Sequence, residues 1–271
     1  DPLMIRNMGF VGAAVATAFS ETLSGAIYLR LLMRKKLVTW RKLFKPPSWA
    51  ALAPIIKGGS SMLMRQAAIN VGIIAAARRA QAIDPTGVAA AAYGIVMQMY
   101  SVGIVVHVAL QGTAAALVSS TKARDGTDAA RSLADRVFVW GTIIGAMLGS
   151  IQYLSLPFLV PLFSTLPEVR EAVKVPAIIA SVNHLINGPV FAGEGTMLGL
   201  GCYRDLAFIT GGSVLSLVFA LISPLGKTLN GILIANLLFC ASLGLGVSTH
   251  YWKFGPLARK EKRKGKSLSI G

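Results

Sequence analysis

Long apolar stretches dominate this chain, and the polar side chains inside them are few enough to name one by one. Runs of about 20 apolar residues have the length that crosses a bilayer. They predict seven candidate spans, at 9–33, 50–78, 87–121, 137–163, 176–200, 206–224 and 229–251. Without water around it, a span must satisfy its own backbone, so each is predicted to be a helix. The apolar/polar alternation over ten-residue segments that marks a membrane β-barrel is missing. The expected fold class is an all-α polytopic membrane bundle of about seven transmembrane helices.

Composition agrees with the pattern. The chain is 54% hydrophobic, has a mean hydropathy of +0.62, and only 14% of its residues are charged, against about 25% in soluble domains. A formal net charge of +16 and a pI near 10.3 would fit nucleic-acid binding, but the placement of the charge argues against it. Basic residues gather beside the ends of the apolar runs, where they orient a protein in a membrane and meet anionic lipid. The connection at 34–49 carries Arg34, Lys35, Lys36, Arg41, Lys42 and Lys45. Lys122, Arg124, Arg131 and Arg136 follow two spans later, then Arg204, then the Lys/Arg-rich tail. The intervening connections are poorer, holding Arg170, Lys174 and Lys227, with the Arg78–Arg79 pair as the exception. This alternation predicts a cytoplasmic C-terminus and a non-cytoplasmic Asp1 in a multi-pass protein of the plasma membrane or an organelle membrane. The stretch 34–49 reads as a basic interfacial linker, and the tail from Lys253 as polar and disordered. Cys202 and Cys240, the two cysteines, form neither a CxxC motif nor a disulfide framework. The chain starts at Asp1 without a cleavable signal, which reads as a segment of a longer protein.

Of the 11 acidic residues, Glu21 and Glu194 stand inside apolar spans. An intramembrane carboxylate is costly and by default faces an internal cavity on an ion, proton or substrate path. In span 50–78, Lys57, Ser61 and Arg65 form one helical stripe with Gln66 and Asn70 near it. In span 176–200, Asn183, Asn187 and Glu194 fall within about 40° on a helical wheel. Pro189 is expected to kink that helix between Asn187 and Glu194. Span 87–121 adds Tyr93, Gln98, His107 and Gln111. Glu194 also has a plainer role open to it, pairing with Arg65 or Lys57 to lock two helices. His107 and His184 read as core histidines ahead of proton relays. Gly141, Gly145 and Gly149, and again Gly195 and Gly199, repeat at four-residue spacing, which lets helices approach closely.

Three motifs in order carry a family resemblance. GFVGAAVATAFSE at 9–21, VALQGTAAALVSSTKARDGTDAARSLADR at 108–136 and FAGEGTMLGLGCYRD at 191–205 resemble the sixth span, the end of the eighth span with its connection, and the tenth span of the multidrug and toxic compound extrusion (MATE) family. The chain is most similar to the DinF-like branch. The resemblance implies span six and the C-terminal lobe of a twelve-helix, two-lobe transporter. Residues 1–33 would then close the N-terminal lobe, 34–49 link the lobes, 50–252 form the C-terminal six-helix lobe, and 253–271 a basic tail. It further implies antiport of an organic, often cationic or amphipathic solute or xenobiotic against protons or sodium, with no further cofactor and no resident metal. Glu194, Asn187 and Glu21 are the implied ion-coupling candidates; Arg65, Gln66, Asn70, Gln98, His107, Gln111 and Asn183 are candidates for the substrate cavity. Glu194 stands where family members often have Asp, and Asn187 where some cation-coupled members place a carboxylate. The expected partners are a small organic solute, the lipid bilayer and the N-terminal lobe of the same full-length chain, with no nucleic acid. A lipid or oligosaccharide-lipid flippase of the same superfold is the alternative, resting on Lys57 and Arg65. A heptahelical receptor fits the raw span count without its motifs. No phosphate loop, metal cluster or nucleophile elbow supports enzyme chemistry.

Overall fold

A computed structural model describes residues 2–40, 44 and 46–258. Among the described residues there are seven α-helices: α1 (Pro2–Arg34), α2 (Trp49–Gln81), α3 (Val88–Asp125), α4 (Thr127–Phe163), α5 (Pro167–Gly199), α6 (Tyr203–Ile222) and α7 (Leu229–Thr249). Every expected span lies on one of them. Helices α3 to α7 are long and apolar enough to cross a membrane. Helices α1 and α2 have comparable length, and Lys57 and Arg65 interrupt the apolar run of α2. The protein is an all-helical, multi-pass membrane bundle. Its surface carries the consequence: Val102, Leu154, Phe219 and Leu245 are each about 70% exposed, a shell that suits lipid and would be penalised in water.

The chain divides into two compact units, Asp1–Ile55 and Ile56–Gly271. In the first, α1 is interrupted at Gly9, whose φ of 59° and ψ of −142° leave the helical region, a conformation that only glycine adopts without strain. Within the basic linker expected over 34–49, Trp40 is helical. Residues 35–37 turn, 46–48 are extended or irregular, and 41–43 and 45 lie outside the described residues.

In the second unit α5 is central. Of its most apolar window 56% is buried, against 22–39% in α3, α4, α6 and α7. Glycine makes this possible. A Cβ added at Gly145 would stand 3.1 Å from the Cα of Gly188, and one at Gly188 would stand 2.7 Å from the carbonyl carbon of Gly141, so α4 and α5 meet backbone to backbone. Nearer the C-terminal end of α5 a Cβ at Gly195 would meet that of Ala114 at 2.7 Å, and one at Gly199 the Cα of Ala115 at 3.0 Å, which seats α5 against α3. Both small-residue repeats are thus contact surfaces of a single helix. Pro189 lies within α5, which runs helical from Pro167 to Gly199.

Connections alternate between two ends of this bundle. Val118, Ala130, Ala134, Tyr251 and Leu257 cluster at one end, where Lys122, Arg124, Arg131 and Arg136 also lie. Asp84, Val88, Glu171 and Thr228 border a common hollow at the other. The Arg78–Arg79 exception has a structural account there: Arg79 Nε donates to the carbonyl of Gly226 at 2.9 Å, fastening α2 to the α6–α7 connection. The tail expectation needs correction for its first residues. A π-helical turn at His250–Phe254 continues to a buried Leu257, whose carbonyl accepts from Arg131. Tyr251 donates to Asp135 Oδ1 at 2.6 Å. An apolar anchor and two polar ties offset the entropy of ordering this stretch. Residues 259–271 lie outside the described residues.

Candidate functional site

Glu194 sits on the last two turns of α5 with its side chain 2% exposed. A buried carboxylate without partners would be prohibitively desolvated, and here both oxygens are taken. Oε1 accepts from Arg65 Nη2 of α2, forming an ion pair with it; Oε2 accepts from Gln111 Nε2 of α3 at 2.6 Å. Arg65 is 15% exposed and is itself steered: its Nε donates to Thr210 Oγ1 of α6 at 3.1 Å. Four helices therefore converge on one carboxylate. Three of these side chains were expected in a site from the sequence, and the structure joins them. Thr210 was not expected, because one threonine in an apolar helix usually bonds its own backbone.

A second polar cluster lies further toward the start of α5. The amide nitrogens of Asn183 and Asn187 both donate to the hydroxyl of Tyr100 on α3, the first at 3.0 Å. Asn236 and Cys240 of α7 border that hydroxyl. Beside it, His107 Nε2 faces His184 Nδ1 at 3.2 Å, and His184 Nε2 faces Gln152 Oε1 of α4 at 3.0 Å. A carbonyl oxygen only accepts, so with the amide in this orientation His184 Nε2 carries a proton. Its Nδ1 then accepts from His107 Nε2 when both rings are neutral. Three atoms of the cluster remain over: His107 Nδ1, Gln152 Nε2 and Asn183 Oδ1 are buried without a protein hydrogen-bond partner among the described residues. Gly103 makes room for this row, since a Cβ there would meet the His184 ring at 2.7 Å. Asn183 and Asn187 thus share a helix face with Glu194 but bond elsewhere, and His107 joins them.

Other candidates lie apart from both clusters. Gln66 and Asn70 are exposed and bonded to each other at 3.2 Å. Gln98 is exposed, its backbone carbonyl accepting from Ser101. Lys57 is exposed, so the carboxylate's counter-charge is Arg65. Glu21 belongs to the first unit, on an exposed stretch of α1.

Comparison with known proteins points in one direction. The chain is 26% identical over 264 residues, 94% of its length, to the Arabidopsis thaliana protein DETOXIFICATION 45, chloroplastic. It is similar in fold to a solved MOP superfamily transporter from Pyrococcus furiosus, with a TM-score of 0.65 and 17% identity over 75% of this chain. For that transporter a reversed polarity of the binding pocket is taken to suggest a different function. The chain spans about 45% of the length of each. No family model matches it. These likenesses support the MATE resemblance and the helical-bundle fold.

Proposed function

We propose that this chain is the C-terminal part of a secondary active transporter of the MATE family, DinF-like branch, which exports organic cationic or amphipathic solutes in exchange for protons or sodium. In this reading residues 1–33 complete an N-terminal lobe, 34–49 link it to the lobe at 50–252, and the C-terminus faces the cytoplasm. One observation carries the proposal: the carboxylate of Glu194 is buried among the helices and its charge is compensated by a single guanidinium, that of Arg65. A proton, a sodium ion or a cationic solute competes with Arg65 for the same oxygens, and each keeps the buried carboxylate neutralised when it takes over. Exchange of one for another is then the elementary act of antiport. One charge crossing 100 mV is linked to about 2.3 kcal/mol, which sustains roughly a 50-fold gradient. Asn183, Asn187 and His107 support the site as a second polar layer on the same helix.

The test is ion-driven export by the full-length protein in proteoliposomes, native against Glu194→Gln. Export driven by an imposed proton or sodium gradient should be lost in the variant, while passive solute binding is retained. Unchanged gradient-driven export removes Glu194 from coupling. The flippase reading rests on Lys57 and Arg65, two turns apart on one stripe of α2, with Lys57 exposed; movement of labelled lipid across empty proteoliposomes, abolished by Lys57→Gln, would favour it.

A further inference from the structure

Away from the Glu194 site, three side chains of metal-ligand type meet at the end of the bundle that carries Lys122 to Arg136. Cys202 lies in the turn between α5 and α6, Asp205 in the first turn of α6, and His250 opens the π-helical turn after α7. The Cys202 thiol, one Asp205 oxygen and a His250 ring nitrogen all lie within 4.8 Å of one another. Asp205 Oδ2 and His250 Nε2 are already 3.2 Å apart. Zinc bond lengths of 2.0–2.3 Å put the ligand atoms of a tetrahedral ion about 3.3–3.8 Å apart, so closure needs a shift of about 1 Å. The Asp205 side chain, 56% exposed, is free to make it.

Two further features point to a ligand. The π turn is a rare conformation that accompanies functional sites, and here it places the His250 ring against Gly255, where an added Cβ would lie 2.9 Å from Nδ1. An open groove of about 650 Å³, bordered by Phe208, Leu245 and Phe254, leads to Asp205 and His250 and provides an entry path.

We propose that Cys202, Asp205 and His250 bind one divalent cation of the zinc class, which pins the π turn after α7 to the α5–α6 connection. Thiolate, imidazole and carboxylate together select a borderline-soft ion over magnesium or calcium. The fourth position is left to water. Burial and the Asp205 carboxylate hold the Cys202 thiol above its ordinary range, with Lys122 pulling the other way; coordination therefore releases the thiol proton to solvent.

The probe is cobalt(II), added to metal-free, full-length protein. One equivalent should produce a thiolate-to-cobalt charge-transfer band that zinc then displaces. Cys202→Ser should abolish the band. Asp205→Asn and His250→Gln should each weaken binding by at least the roughly 10- to 100-fold that loss of an outer-shell partner costs. A measurement on the unaltered protein guards against misfolded variants: zinc, but not magnesium, should protect Cys202 from maleimide. A missing band, a band that survives Cys202→Ser, or equal alkylation with and without zinc would each overturn the site.

Discussion

The two polar clusters on α5 are built from similar material and differ in what compensates them. Around Tyr100, His107, Asn187 and Gln152 every group is neutral or can be so, and the partners belong to α3, α4, α5 and α7, of which α3 and α4 meet α5 backbone to backbone at glycines. Around Glu194 the key partner is a full charge from α2, a helix fixed to the rest of its unit by side chains: Ala76 and Ala80 against Leu217 and Ile232, Arg79 on Gly226, and Arg65 itself. A neutral network inside a close-packed core specifies geometry. A charge pair between a packed helix and a side-chain-tethered one can be opened without dismantling that core. The contrast separates scaffold from moving part.

Breaking the charged pair should have the largest effect. Arg65→Met leaves Glu194 buried without its counter-charge, a loss of about 3–5 kcal/mol. The double variant Arg65→Met/Glu194→Met removes both charges and should recover most of that loss, since apolar replacement of a buried pair is often neutral. Reversible unfolding in detergent reads both. A double variant as unstable as the single one would show that the pair is not the source of the loss.

The scaffold is tested next. Gly188→Ala drives a methyl toward the Gly141 carbonyl, where two helix backbones leave no side chain to yield, and should cost about 1–3 kcal/mol. Gly211→Ala on α6 meets nothing within 4 Å and should stay within about 0.5 kcal/mol of the native protein. Equal losses at the two positions would refute the close crossing. Tyr100→Phe strips the shared acceptor from two buried asparagine amides, at about 1–3 kcal/mol. It should leave gradient-driven transport coupled, which Glu194→Gln should not.

Much of this was legible beforehand, for physical reasons. Helix positions follow from apolar run length, and the paired helices of Gly141–Gly149 and Gly195–Gly199 follow from spacing alone. The Arg65–Glu194 pair was foreseeable because each is an ionised group with few candidates to neutralise it. Thr210 and Gln152 were not, since a single polar residue in an apolar helix does not announce which neighbour it faces. Tyr100 was not among the candidates, although its hydroxyl accepts from two asparagines. The tail misled at its start: composition described Lys253 onward as polar and missed Leu257, whose anchorage depends on Arg131, 126 positions earlier.

The smallest predicted effect lies at the connection into α3, which is shaped by one partly exposed carboxylate. Asp84 Oδ2 accepts from the backbone N–H of Ala89 at 3.0 Å, and Oδ1 accepts from the Thr86 hydroxyl. These bonds favour the ionised form and hold Asp84 below the usual carboxylate range, Thr86 contributing most. A lowered folded-state pKa means stability that is present above the unfolded pKa and is lost as pH falls through the folded one. Asp84→Asn should therefore unfold slightly more easily than the native protein at neutral pH and indistinguishably from it in strong acid. Thermal unfolding at the two pH values reads the difference. A gap that persists in acid would mean that Asp84 acts through its shape and not its charge.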